Sequence, residues 1–475
     1  KAVMADYQDF VRSFILIADE RAKEFVDKAL EEESKLWPDP LIQVSPSYAL
    51  GATIDDLAHE GLITEETARI FRWEDGRPFH LFQHQEDSIR LALEGKNFVV
   101  TSGTGSGKSL CYFLPIIDSL IRQSGTDKPV SALIVYPMNA LVNSQLQSLQ
   151  NLKIKYEKRT EEEFPVTFAK YTGETSEEER DQMRRHPPQI ILTNYVMGEL
   201  LLVRPEDERF ITRSQNGLLF LVFDELHTYR GRQGADVALL IRRLKIRSGA
   251  SQIIHMGTSA TMISHPEASS RERRQAVADF ATRFFGHPFF PEQVIEETLE
   301  PCSVGGAPSK EELRQAFFEE IPSDIESFRR HPLVRWLEYA IGIEEETDGR
   351  LRRRVPRSLS EVATELASII EVEKDVCEKR LQVVLTRGSE LIRPDGTRLI
   401  AFKLHQFISQ GHALYATLES TDRRTFSMEG QLKAGEGRLL APIKFCRQCG
   451  QDYYHMLRIA DRFIPHPMGL IAEDE

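Results

Sequence analysis

Three stretches of the chain carry residue types that could do chemistry together. The first is SGTGSGKS, residues 102 to 109, in which Gly103, Gly105 and Gly107 alternate with Thr104 and Ser106 and lead to Lys108 and Ser109. Glycines let successive backbone N–H groups turn toward one point, and an adjacent lysine adds positive charge, so the stretch is suited to cradling phosphates. Lys108 would neutralise the β- and γ-phosphates of a nucleotide, and the Ser109 hydroxyl would enter the shell of a Mg²⁺ ion. The second stretch follows the apolar run LLFLVF and places Asp224 beside Glu225. At the carboxyl end of a strand, Asp224 could hold that Mg²⁺ through water, and Glu225 could orient or deprotonate an attacking water. The third is Cys446 and Cys449, whose C-x-x-C spacing can clasp Zn²⁺ from a tight turn.

Each stretch also has a plainer reading. SGTGSGKS could be a turn between a strand and a helix, and Asp224 and Glu225 could cap the helix that TYRGRQGADVALLIRRL predicts. The presence of each stretch argues for the chemical reading of the other, since a phosphate loop needs a metal-holding acid at the end of another strand. The cysteine pair is half a ligand set. His405, His412 and His455 are candidates for the rest, and free thiols or a redox pair remain as alternatives.

The elements that must position these residues follow from hydrophobic patterning. NFVV reads as a buried strand, SGTGSGKS as the turn after it, and LCYFLPIIDSLI as a helix, which is the setting a phosphate loop requires. From residue 96 onward, short valine- and isoleucine-rich runs alternate with helical or turn-rich segments. KNFVVTSG, SALIVYP, VTFAKYTG, QIILTNY, LLFLVFDE and SQIIHMGTSAT are the strands of a mostly parallel sheet covered on both faces. Residues 1 to 75 are expected to form an N-terminal helical region. Phe10, Phe14, Ile17, Phe25 and Leu30 make its apolar stripe, WPDP ends its first helix, and Thr53 and Thr64 are N-caps. Residues 76 to 300 then form the nucleotide-binding α/β domain. Residues 301 to 440 are expected to be mostly helical, with PLVRWLEYAI and SLSEVATELASII as the clearest helices, and 441 to 475 to be a C-x-x-C segment.

Composition bounds the rest. The 475 residues, 41% hydrophobic and 28% charged, suffice for two or three globular units. No apolar run approaches a membrane span, and five cysteines do not make a disulfide framework, so a reducing, cytoplasmic setting is expected. The chain begins at Lys1, which leaves room for further N-terminal sequence. A net charge of −13 argues against a uniformly basic coat, so contact with nucleic acid would be local or made by backbone amides. Two basic runs stand out, RRLKIR at 242 to 247 and RLRRRVPR at 350 to 357. The second follows the acidic EEETD, which offers its arginines either phosphate contacts or partners next door.

The order of the short motifs resembles superfamily 2 helicases of the DEAD/DEAH-box type. Gln85 stands upstream of GTGSGKS; Pro137 begins PMNAL; Thr172 and Gly173, then Thr193 and Asn194, follow; DELH occupies 224 to 227 and SAT 259 to 261. The match covers about residues 79 to 263 and extends more loosely to LHQF and FCRQCGQDYY, as in large bacterial helicases with Cys-rich modules, some of phage-defence systems. The resemblance implies a RecA-like fold, ATP and Mg²⁺ as cofactors, and nucleic acid as partner, DNA ahead of RNA. Gln85 would read adenine, its plainer role being that of a helix-start glutamine. His227 would link the nucleotide site to SAT, and Ser259 and Thr261 would pass on the nucleotide state. Pro137, Asn139, Thr172, Gly173, Thr193 and Asn194 would line the path of a single strand. A helicase needs two such lobes, and residues 264 to 475 contain no Q-x-x-G-R-x-x-R segment, so a second lobe is expected from further sequence or a partner, with subunits of a defence complex as other candidates. An ATP-dependent clamp and an assembly scaffold are the other function classes compatible with these residues.

Overall fold

The computed structural model describes residues 16–31, 39–103, 105–123, 130–211, 218–250, 252–260, 268–346, 348–393, 397–407, 413–459 and 461–465. The chain divides into two compact units. One comprises residues 46–301 and 344–352; the other comprises 1–45, 302–343 and 353–475.

The first unit is built on a seven-stranded parallel sheet. Its strands are β1 (Phe98–Thr101), β2 (Ala132–Tyr136), β3 (Phe168–Tyr171), β4 (Ile190–Asn194), β5 (Phe220–Phe223), β6 (Ile254–Ser259) and β7 (Val294–Glu296), in the spatial order β7-β1-β6-β5-β2-β4-β3. The helices that follow or precede them are α1 (Gln83–Leu93), α2 (Leu110–Arg122), α3 (Asn139–Thr160), α4 (Glu177–Arg185), α5 (Tyr195–Val203), α6 (Gly231–Ser248) and α7 (Ser270–Phe285). Side chains alternate across a strand, and the two resulting faces build two cores. Phe98, Val100, Ile134 and Val222 pack with Ile89 of α1, Tyr112 and Ile116 of α2 and Leu149 of α3. Val99, Leu133, Val135 and Phe223 pack with Met197 of α5, Leu240 of α6 and Val277 of α7. Burial on both faces explains why these strands read as continuous apolar runs rather than alternating ones.

The N-terminal part of this unit is not purely helical. Strands Ser47–Tyr48 and Leu50–Thr53 precede helices Ile54–His59 and Glu65–Ile70. Thr53 and Thr64 do cap those helices, Thr53 through a reciprocal capping box with Asp56. The buried Asp118 of α2 explains how an acid survives within FLPIIDSLI. It accepts from the Thr64 amide at 2.7 Å and the Thr67 hydroxyl at 2.8 Å, and Arg122 Nε donates to it at 2.6 Å. A boundary at 75/76 therefore does not correspond to the folded unit, because residues 46 to 75 are tied into it.

The second unit is assembled from three separated segments. Strand Leu41–Ser45 pairs antiparallel with Arg357–Ser358 on one side and Ala401–His405 on the other. Helices Pro332–Ile341, Leu359–Ile370 and Lys374–Glu390 share a core of Leu337, Val362, Leu366 and Leu381 with Ile42 and Val44 of that strand. A four-stranded antiparallel sheet, ordered Phe426–Ser427, Tyr415–Thr417, Leu440–Phe445, Asp452–Tyr454, packs on helix Glu20–Glu31. The two expected helices at 332 and 359 are present, but strands from residues 41 to 454 interleave with them, so 301–440 and 441–465 are not separate bodies. Among the described residues no second parallel sheet occurs.

Candidate active site

The phosphate loop joins β1 to α2. Gly105 and Gly107 take φ of +84° and +70°, a region that a side chain rarely enters, so glycine is favoured at both. At Gly107 a Cβ would also fall 2.5 Å from Gln85 Nε2. Lys108 Nζ donates to the carbonyls of Ser102 at 3.0 Å and Gly103 at 3.2 Å, while the Ser102 and Ser106 hydroxyls lie 2.6 Å apart. Ser109 is the N-cap of α2 and makes no capping bond with its own side chain. Thr104 lies outside the described residues.

Gln85 stands at a helix start, the plainer of its two expected places, but it is not solvated there. It is the third residue of α1, where its Oε1 accepts from the Phe82 amide at 2.9 Å, and its Nε2 donates to the loop carbonyls of Ser106 at 3.2 Å and Gly107 at 3.1 Å. The residue is buried rather than solvated, and it ties the helix start to the phosphate loop.

Beside the loop, the Gly103 amide donates to Glu297 Oε2 at 2.9 Å. Glu297 follows β7 and lines a cavity of about 800 Å³ with Ser102, Arg273, Glu296, Glu346 and Arg350. Its charges compensate one another. Arg273 donates to Glu346 at 2.7 and 3.0 Å and to Glu296 at 3.1 Å. The arginine-rich run behaves likewise. Arg352 pairs with Glu344, Arg350 lies 3.6 Å from Asp348 and 3.9 Å from Glu296, and Arg357 pairs with Glu365 at 2.8 Å. EEETD and neighbouring acids therefore absorb much of its charge.

Asp224 and Glu225 stand at the carboxyl end of β5, two places from β1 in the sheet, with β6 between. Asp224 is 6% exposed, and burial pushes its carboxyl up to about 6, against the Thr258 hydroxyl bond and the Lys108 charge, which favour ionisation. Thr258 of β6 donates its hydroxyl to Asp224 Oδ1 and accepts the Glu225 amide at 3.2 Å. Glu225 itself has φ of +53°. Its carbonyl accepts from the Thr228 amide at 2.9 Å and hydroxyl at 2.8 Å. His227 Nδ1 lies 3.3 Å from Glu225 Oε2, and the same nitrogen accepts the Ala260 amide at 3.3 Å. Glu225 Oε2 is buried, and among the described residues no hydrogen-bond donor meets it. Ser259 Oγ lies 3.3 Å from the same His227 nitrogen, which joins DELH to the start of SAT. Thr261 lies outside the described residues.

The six residues expected along a nucleic-acid path fall at the carboxyl ends of β2, β4 and β3, which are adjacent. Asn194 caps α5 and donates to Asn139 at 2.7 Å; Asn139 in turn donates to Glu174 at 3.2 Å. Pro137 and Asn139 are half-buried, and Gly173 is exposed. Thr172 and Thr193 are fully buried, with the Thr193 hydroxyl donating to the Tyr171 carbonyl at 2.6 Å and the Thr172 hydroxyl accepting the Glu174 amide at 3.3 Å. Those two hydroxyls shape the edge from beneath. Glu174, which also accepts from Asn143 at 3.0 Å, and Thr258 were missed by sequence reasoning. Each is next in sequence to a residue already singled out, Glu174 after Gly173 and Thr258 before Ser259, but the partners that give them a role come from other strands and helices.

Cys446 and Cys449 lie in the turn between strands Leu440–Phe445 and Asp452–Tyr454. The Cys446 amide donates to the Gln451 carbonyl and the Gly450 amide to the Cys446 carbonyl, both at 2.8 Å. Backbone amides of Gln448 and Cys449 and the Cys449 side chain hold the Cys446 thiol below its usual range. Among the described residues no third ligand joins the pair. His405 bonds to Gln43 at 2.8 Å, and His412 lies outside the described residues.

Residues 82–269 match the family model described as DEAD/DEAH box helicase. The Druantia protein DruE of Escherichia coli strain UMEA 4076-1 is 26% identical over 354 residues, 52% of this chain and 19% of that protein. The uncharacterized ATP-dependent helicase YprA of Bacillus subtilis strain 168 is 32% identical over 189 residues, 39% of this chain and 24% of that protein. Among solved structures, the helicase MrfA bound to DNA and AMPPNP aligns over 73% of this chain and 43% of its own, at 18% identity and a TM-score of 0.42. The chain thus spans about a fifth to a quarter of the length of these two curated relatives. No helix of the described residues is long and apolar enough to cross a membrane. The family match runs from just before Gln85 to beyond SAT and takes in the carboxyl ends of β1 to β6, but not that of β7. Residues 82 to 269 thus carry the sequence pattern of a DEAD/DEAH box helicase domain.

Proposed function

We propose that this chain is the ATP-binding motor lobe, with an accessory unit, of a larger ATP-driven helicase or translocase acting on nucleic acid, with DNA as the substrate. The observation that carries the proposal is the meeting of Lys108, the Asp224–Glu225 pair and the Thr258–Ser259 strand end on three neighbouring strands, β1, β5 and β6. The residues fit Mg²⁺-ATP. Two glycines hold the loop open to backbone donors, Asp224 is a buried carboxylate at a strand end, and Glu225 presents a buried acceptor that no donor among the described residues meets. Bound Mg²⁺-ATP would supply the scissile phosphoanhydride and the metal charge that offsets its oxygens. Lys108, held by two neutral carbonyls, would turn to the phosphates; Ser109 and Asp224 would hold the metal's shell; Glu225 would orient or deprotonate the water. Gln85, bonded to the loop, would report on the base. His227 and Ser259 would carry the nucleotide state to the edge formed by β2, β4 and β3.

That edge is the proposed strand path, with Pro137, Asn139, Gly173 and Asn194 at its surface and Thr172 and Thr193 supporting it. Its polar amides and helix starts suit phosphates without a basic coat, in keeping with the net charge. The second motor lobe would come from sequence outside this chain or from a partner. Service in a defence system rests on the likeness to DruE alone, and zinc rests on the cysteine pair alone.

The test is ATP hydrolysis by the full-length protein with single-stranded DNA, duplex DNA or RNA added separately. Stimulation by DNA is expected. Lys108→Ala should lose nucleotide affinity, whereas Glu225→Gln should keep affinity and lose turnover by at least about 10²-fold. No stimulation by any nucleic acid, or unchanged turnover in Glu225→Gln, would sink the reading.

A further inference from the structure

Thr258 precedes SAT and belongs to none of the motifs that identify the domain. β5 and β6 are parallel neighbours, with Met256 opposite Val222 and Gly257 opposite Phe223, so one more step of register brings Thr258 to Asp224. The approach is close: a Cβ on Gly257 would fall 2.4 Å from Leu226 Cδ1. Thr258 is buried, and its hydroxyl makes two bonds, donating to Asp224 Oδ1 and accepting the Glu225 amide at 3.2 Å.

We propose that Thr258 is a positioning residue for both carboxylates of the nucleotide site. One hydroxyl ties down one Asp224 oxygen, leaving the other for the metal's shell, and at the same time holds Glu225 in its left-handed conformation. This rests on the ATP-hydrolysing reading above. A non-glycine residue at φ of +53° persists only where its surroundings determine it. Here the Thr228 amide and hydroxyl hold the carbonyl side of Glu225, and Thr258 holds the amide side. Two other threonines at strand ends of this sheet satisfy their hydroxyls on backbone carbonyls, Thr193 on Tyr171 and Thr101 on Ile295. Thr258 differs because its two bonds run to the two DELH acids.

The experiment compares wild type, Thr258→Val and Thr258→Ser in the full-length protein. Valine keeps the shape and removes both bonds; serine keeps the hydroxyl. Affinity for a non-hydrolysable ATP analogue without Mg²⁺, set by the phosphate loop, should change by less than about threefold in the valine variant, while its tightening by Mg²⁺ falls roughly tenfold. Turnover should fall about 10- to 100-fold with little change in KM, and serine should restore both. In nucleotide-free protein, hydrogen exchange of the peptide containing the Glu225 amide should quicken in the valine variant only. If valine does not fold, Thr258→Cys, with its weak donor, is held to the same criteria. Unchanged Mg²⁺ tightening and turnover in a variant whose wild type hydrolyses ATP overturn the role of Thr258 alone. So does a serine variant as impaired as valine. A wild type that neither binds nor hydrolyses ATP overturns the functional reading, and this inference with it.

Discussion

Asp224 is placed where it destabilises the protein that carries it, and replacing it should show this. Burial raises its carboxyl from an ordinary 3.8 to about 6. Above pH 6 the carboxylate is ionised in both folded and unfolded chains, so the folded state bears the whole penalty; each pH unit between the two values is worth about 1.36 kcal/mol, or about 3 kcal/mol in all. As pH falls through 6 the folded protein takes up the proton first and the penalty fades; below 3.8 it is gone. The Asp224→Asn variant would have no charge to bury at this position and could still accept from Thr258, but the new amide needs a partner and the attraction to Lys108 is lost. A net gain of about 1–3 kcal/mol is expected at pH 7.5, or a rise in Tm of roughly 3–9 °C for a unit of this size. Calorimetry of nucleotide-free protein in chelator reads it directly. The gain should shrink at pH 4.5, and Mg²⁺-ATP should reverse the order, since a ligand stabilises only the protein that binds it. A variant no more stable than wild type at pH 7.5, or one whose advantage is the same at pH 4.5, would refute the reasoning.

His255 should behave in the opposite sense. Burial first, then Lys245 and His287, lower its imidazole from 6.5 to about 3, so between those values the unfolded chain binds a proton that the folded one refuses. Stability should therefore fall by up to about 1.36 kcal/mol per unit as pH drops below 6.5, and His255→Phe should flatten that fall in urea titrations; an unaltered slope would remove His255 as its source. Zinc analysis of full-length protein prepared without chelator should find metal that Cys446→Ser with Cys449→Ser abolishes, and metal-free wild type would reject the site.

The sheet and the candidate nucleotide site were legible because their signals are local. A strand buried on both faces is a short apolar run, a phosphate loop is contiguous, and DELH follows its strand directly. Thr53 and Thr64 were readable as caps because a cap bonds within three residues. The acidic segment before the arginines was a sound hint of where their charge goes, since strands Ile343–Glu345 and Leu351–Arg353 pair and bring the two together. What was not legible depends on which strands become neighbours. Thr258 and Glu225 are far apart in sequence and meet only because β6 lies between β1 and β5. Glu174 reaches Asn139 because β3 and β2 flank β4, and Glu297 reaches Gly103 because β7 edges β1. The accessory unit failed for the same reason on a larger scale: its central strand, Leu41–Ser45, pairs with segments more than three hundred residues later.

The acids of this domain divide by what neutralises them. Asp118 and Asp207 are also fully buried, but an arginine and hydroxyl donors meet each of them: Arg122 and Thr67 for Asp118, Arg184 and Tyr171 for Asp207. Among the described residues Asp224 has a hydroxyl and a more distant lysine, and Glu225 Oε2 has no donor. A fold that can supply arginines to buried acids elsewhere, yet withholds one at the end of β5, leaves there a charge that a metal-bound nucleotide would compensate better than the protein does. On that argument the instability predicted for wild type without nucleotide and the proposed affinity for Mg²⁺-ATP have one origin. Pairing Asp224 with an introduced arginine should relieve the first and abolish the second.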